Sequence, residues 1–176
     1  MRNVASLFAG MSMLALAAMG CSTGISEQTF TTQLSGANEV PPVTTAATGT
    51  AQVVMDVSVA KYTLTVNGLT GITGAHIHAH SSTAAAGNNL PISVFLFDGP
   101  TTDAATPVNG TLSKSSFNQA TITAANPQGT GAVSTFANLR DAIVSHRAYA
   151  NVHTTTANAN DPCPPRCPGG IIRGNF

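Results

Sequence analysis

The chain has 176 residues, only 8% of them charged, a formal net charge of zero and no tryptophan. The absence of any basic run argues against a nucleic-acid or polyanion partner, and the length suits one domain able to bury a respectable core. So sparsely charged a surface repels itself weakly, which fits an extracytoplasmic β-protein open to protein partners or self-association.

Residues 1–20 read as a secretory signal peptide. Arg2 gives a positive start, Val4 to Ala18 is mostly apolar, and the stretch is too short for a flanked membrane span. It ends in Ala17-Ala18-Met19-Gly20-Cys21, the form of a bacterial lipobox, although leucine is usual at 18 and a smaller residue at 19. Lipidation is therefore expected at Cys21, and acyl chains there anchor a protein stably to a membrane. Ser22 stands where an inner-membrane retention signal places aspartate, so the expected location is the bacterial cell envelope, at the outer membrane or cell surface. Residues 21–28 form the tether, and residues 29–176 form the single domain.

That domain reads mainly as β. Thr29 to Leu34 is a strand, followed by a loop through Val40-Pro41-Pro42. Gly49 to Val57 and Lys61 to Leu69 alternate apolar and polar residues, and the short gap between them predicts a hairpin. A strand at about Gly74 to His80 comes next, then a loop from Ser81 to Asn89, a strand from Pro91 to Phe97, and a turn at Asp98-Gly99-Pro100. Asn109-Gly110 signals a turn before a strand from Thr111 to Phe117, and a weaker strand is expected from Gln119 to Ala124. Phe136, Leu139, Ala142 and Ile143 recur at helical intervals, which predicts a helix over 135–145 capped by Ser134 or Thr135. Tyr149 to Thr155 and Ile171 to Phe176 close the chain as strands. The expected fold is all-β: an antiparallel sandwich or Greek-key barrel, immunoglobulin-like or superoxide-dismutase-like, with one short helix.

The chemistry concentrates in histidine. Three of the five histidines, His76, His78 and His80, fall on alternate positions of the run GAHIHAH. In a strand such residues share one face, with Ala75, Ile77 and Ala79 on the other. Alternation likewise puts Tyr149, Asn151 and His153 on one face of a later strand. If the two strands adjoin, His76, His78 and His153 converge on the side away from the core, under the loops 81–89 and 156–169. Three imidazoles suit copper or zinc, with a fourth position left for water; His80, at the strand's end, ranks behind them as a ligand. The competing reading is a polar sheet face whose histidines bond to one another, Asn151 and Thr154. His146, after the helix, is expected on the surface.

Cys163 and Cys167 flank Pro164-Pro165-Arg166, and a small disulfide loop is expected in an oxidising compartment, with metal ligation as the sharper alternative. Arg173 is an isolated charge in an apolar strand; Glu39 is a candidate partner for a structural ion pair fastening the first loop to the last strand, with anion recognition by Arg173 as the alternative. Nucleophilic catalysis finds no Gly-x-Ser-x-Gly elbow, and no Walker or dinucleotide glycine pattern appears.

Four segments in order resemble the CHRD domain, the module named from chordin. They are Leu34 to Pro42 together with Ala47 to Ala51, then Gly74 to His78, Tyr149 to Thr154, and Gly170 to Gly174. The family pattern matches Glu39, His76, His78, Asn151, His153 and Arg173. The resemblance implies the sandwich but no established biochemical activity. Ile171 replaces the usual glutamate, His146 stands where a left-handed glycine is common, and Asp161 to Pro168 is an insertion. The HxH strand is also similar to that of Cu/Zn superoxide dismutase, although the bridging histidine and the zinc aspartate of that enzyme are missing. The expected function is a non-enzymatic surface binding module with a copper or zinc site; the alternative is a redox metalloenzyme.

Overall fold

The computed structural model describes residues 26–82, 89–101, 105–124, 131–155 and 170–176. Eight strands form one antiparallel sheet: β1 (Gln28–Ser35), β2 (Thr48–Met55), β3 (Val59–Leu69), β4 (Ile72–Ala79), β5 (Ile92–Asp98), β6 (Val108–Asn118), β7 (Ala148–Thr154) and β8 (Ile172–Asn175). Their spatial order is β5-β4-β7-β8-β1-β2-β3-β6, so the chain crosses over between β3 and β6, β4 and β7, and β1 and β8. The sheet curls until its edges β5 and β6 come together. Near that closure the Tyr62 hydroxyl donates to the Leu96 carbonyl at 2.7 Å. The expected all-β antiparallel architecture is thus what the chain adopts.

Alternation builds the first half. Ala51, Val53 and Met55 of β2 and Ala60, Tyr62, Leu64 and Val66 of β3 are buried, while Gln52 and Lys61 between them are exposed. At the hairpin, the Asp56 carboxylate accepts from the backbone N–H groups of Ser58 and Val59 at 2.6 and 2.7 Å. These bonds hold that carboxyl below the usual aspartate range. The turn comes two residues earlier than expected: β2 ends at Met55, β3 begins at Val59 and Val57 is exposed.

The predicted helix is present as α2 (Phe136–Val144), with Thr135 accepting from Asn138 N at 3.2 Å and its stripe of Phe136, Leu139, Ala142 and Ile143 in the core. It stops at His146, which takes a left-handed φ of 57° and bonds through Nδ1 to the Phe176 carbonyl at 2.8 Å.

Two expectations are corrected. Residues Gln119–Ala124 form a second short helix, α1, rather than a strand. The Asn118 side chain accepts from Ala120 N and Thr121 N at 2.9 and 3.2 Å, and this cap turns the chain into a helix that buries Ile122. Asn109-Gly110 lies within β6 and makes no turn. The Asn109 side chain accepts from Gly68 N at 2.9 Å, and Gly110 takes a φ of 111° beside a break in the β3–β6 register.

His76 and His78 lie on β4, His153 on β7 and Arg173 on β8. Ala75, Ile77, Ala79, Ala148, Ala150, Val152 and Ile172 face the hydrophobic core, and small alanines there leave room for α2. The opposite face of these strands is buried as well, which the alternation of β4 and β7 did not reveal.

Candidate functional site

β4 and β7 are direct antiparallel neighbours, paired Gly74 to His153, His76 to Asn151 and His78 to Tyr149. Residues two apart share a face, so this register lays His76, His78, Tyr149, Asn151 and His153 together on the side away from the apolar core. The pairing of Asn151 with Arg173 of β8 adds the arginine to the same layer. Gly74 opposite His153 carries no side chain; a Cβ there would lie 3.4 Å from His76 Nε2.

One ligating atom from each of His76, His78 and His153 lies within 4.8 Å of the other two, and all three residues are buried, at 6%, 3% and 6% exposure. The ring centroids of His76 and His153 are 4.9 Å apart, and those of His76 and His78 5.6 Å. Phe95 of β5 sets its ring edge-on to His76 at 4.8 Å, and Tyr149 stacks on His78 at 4.7 Å with the planes 9° apart.

Outer bonds orient two of the imidazoles. His78 Nδ1 donates to the Leu90 carbonyl at 2.6 Å, leaving Nε2 with its lone pair. His153 Nε2 donates to Asn151 Oδ1 at 3.2 Å, leaving Nδ1 with its lone pair. A ring held by its second nitrogen is the usual condition of a metal-ligating histidine. The Leu90 peptide is bonded twice, since its N–H donates to the Tyr149 hydroxyl at 3.1 Å. Burial drives the His78 pKa down to about 3; the neighbouring His153 and Arg173 push the same way, against the bond to Leu90. His78 is therefore neutral, the form that binds a metal.

The charged members lie alongside. Arg173 is fully buried, with its guanidinium carbon 3.4 Å from the centre of the Tyr149 ring and Nε donating to Asn175 Oδ1 at 3.2 Å. Burial lowers its pKa, while Tyr149 and the Glu39 carboxylate oppose that shift. Burial raises the Tyr149 phenol, and Glu39 adds to the rise. Glu39, at 2% exposure, follows a 3-10 turn at Gly36–Asn38, where Asn38 donates to the Arg173 carbonyl at 3.1 Å. The first loop is thus seated on β8 through Asn38. Gly170 makes this possible: a Cβ there would overlap Glu39 Oε1 and lie 2.7 Å from Asn151 Nδ2. Gly170→Ala is expected to cost about 2 kcal/mol by overpacking, seen as an earlier midpoint in urea; an unchanged midpoint would contradict this packing.

His80 is outside the cluster. β4 ends at Ala79, and His80 turns away into a bridge with Ala132, its Nδ1 accepting from Ser82 N at 3.1 Å. His146 is exposed, as expected. Cys21, Cys163 and Cys167 lie outside the described residues, as does the loop 156–169. Tyr149 and Asn151 were readable from alternation, whereas Leu90 and Phe95 carried no signal in a lone sequence.

Among the described residues no helix is long and apolar enough to cross a membrane. A family model described as the CHRD domain matches residues 30–161. No curated protein and no solved structure matches the chain.

Proposed function

Because this chain belongs to the CHRD domain family, with no chemistry to inherit from a characterised relative, we propose a role built on its buried histidines. The protein is a non-enzymatic binding module of the bacterial cell envelope, lipid-anchored at Cys21, that holds one copper or zinc ion through His76, His78 and His153. Protein partners or further copies of itself meet its weakly charged surface. The observation that carries this reading is the gathering of three buried donors within 4.8 Å of one another. Two supports join it: His78 and His153 each have the second ring nitrogen engaged, and burial keeps His78 neutral. Such outer bonds typically change metal affinity about 10–100-fold.

The test is titration of the full chain, purified in detergent and stripped with chelator, with copper and zinc. One ion per chain is expected to bind below micromolar concentration, and His78→Ala and His153→Ala each lose binding at least tenfold while keeping the wild-type circular dichroism. Failure of both metals to bind at micromolar levels would reduce the cluster to a structural hydrogen-bonding layer.

A further inference from the structure

Resting on the metal reading above, we infer that the cluster is built for monovalent copper in preference to Cu(II) or Zn(II). The donor set comes first. His76, His78 and His153 form the ligating group, and no carboxylate or thiolate of the described residues joins them. Zinc sites want four ligands, and Cu(II) favours tetragonal nitrogen and oxygen surroundings. Zn(II) and Cu(I) both have filled d-shells, but the single charge of Cu(I) lets it rest with three donors where Zn(II) draws in a fourth, so three imidazoles in a trigonal set satisfy the monovalent ion.

The walls point the same way. A water serving as fourth ligand needs room and polar partners of its own. Here the Phe95 ring edge stands 4.8 Å from His76 and the Tyr149 ring lies flat on His78, so aromatic rings cover two of the three imidazoles, and Asn151, bonded to His153, is the polar side chain beside them. Charge is the third argument. The solvation lost on burying an ion scales with the square of its charge, so a divalent ion forfeits about four times as much as a monovalent one in the same site. The three donors are neutral when they bind, and the buried charges beside them, Glu39 and Arg173, are opposite in sign. Among the described residues no net negative charge is set to offset a second positive unit. Arg173 also sits over the ring that stacks on His78, which makes extra positive charge at that imidazole less welcome.

The experiment compares metals on the unaltered full chain in detergent, so that it does not depend on any variant folding. Cu(I) affinity is read anaerobically by competition with a chromogenic Cu(I) chelator, and Zn(II) and Cu(II) affinities by competition with metal dyes. Cu(I) is expected to bind one per chain at least 100-fold more tightly than either divalent ion, with an X-ray absorption edge of three-coordinate Cu(I). His78→Gln, which keeps polarity at the position, is expected to lose most of that preference. If Zn(II) or Cu(II) binds as tightly as Cu(I), with the same dependence on His78 and His153, the preference is overturned and the metal site stands. If none of the three binds, both readings fall.

Discussion

Arg173→Leu is expected to lower the unfolding free energy by about 3–5 kcal/mol, the usual consequence of leaving one member of a buried charged pair behind. Three features make this the most damaging single change on the histidine side of the sheet. The guanidinium is fully buried and rests 3.4 Å from the centre of the Tyr149 ring. Its removal takes away the positive charge that acts on the Glu39 carboxylate, itself only 2% exposed. It also uncovers the phenol that stacks on His78. The double variant Glu39→Gln with Arg173→Leu is therefore expected to be more stable than Arg173→Leu alone, since a neutral amide costs less to bury than an uncompensated carboxylate. Urea denaturation of the four proteins in the cycle reads the coupling directly. Simple additivity of the two changes would show that the charges do not depend on each other.

Acid is expected to weaken the metal-free protein from about pH 6.5 downward, so that the loss begins above the range in which carboxylates titrate. The folded-state pKa of His78 is about 3, against an ordinary 6.5, so between those values the unfolded chain binds a proton that the folded one refuses. The sign follows. Stability from this group is complete above pH 6.5 and falls as the pH drops, by up to about 1.4 kcal/mol per unit. At pH 4.5 the loss is roughly 2–3 kcal/mol. Denaturation in urea at pH 7 and 4.5, with metal chelated, measures it. His78→Gln, which cannot titrate, is expected to flatten the profile in this window; an equally steep profile in that variant would assign the acid sensitivity elsewhere.

Much of the histidine layer was legible in the chain because a strand encodes its faces by parity. Once 76 and 78, and 149, 151 and 153, are seen to alternate with small or branched apolar residues, their grouping needs only that the strands adjoin, and β4 and β7 do. The same parity cannot say whether the polar face meets water. That depends on Glu39, Leu90 and Phe95, which arrive from distant segments and obey no local period. The helix over 136–144 was readable from its stripe and its threonine cap. The short helix at 119–124 was not, because it depends on one side chain, Asn118, capping two N–H groups, and on Gln119 reaching Ser134 and Phe136. Asn109-Gly110 misled for a related reason: its turn chemistry is satisfied across the sheet, by Gly68, rather than within a hairpin.

The pairing of β8 between β7 and β1 has a consequence for how the protein comes into being. The earliest and the latest strands in chain order lie side by side, and the latest supplies the buried guanidinium. A polypeptide lacking residues 172–175 has a gap between β7 and β1, and its Tyr149 ring lacks the guanidinium that stacks on it. The sheet is completed only by contacts between segments 143 residues apart, such as the Thr32 hydroxyl on the Asn175 carbonyl, so its closure is a long-range event that no local hairpin can nucleate.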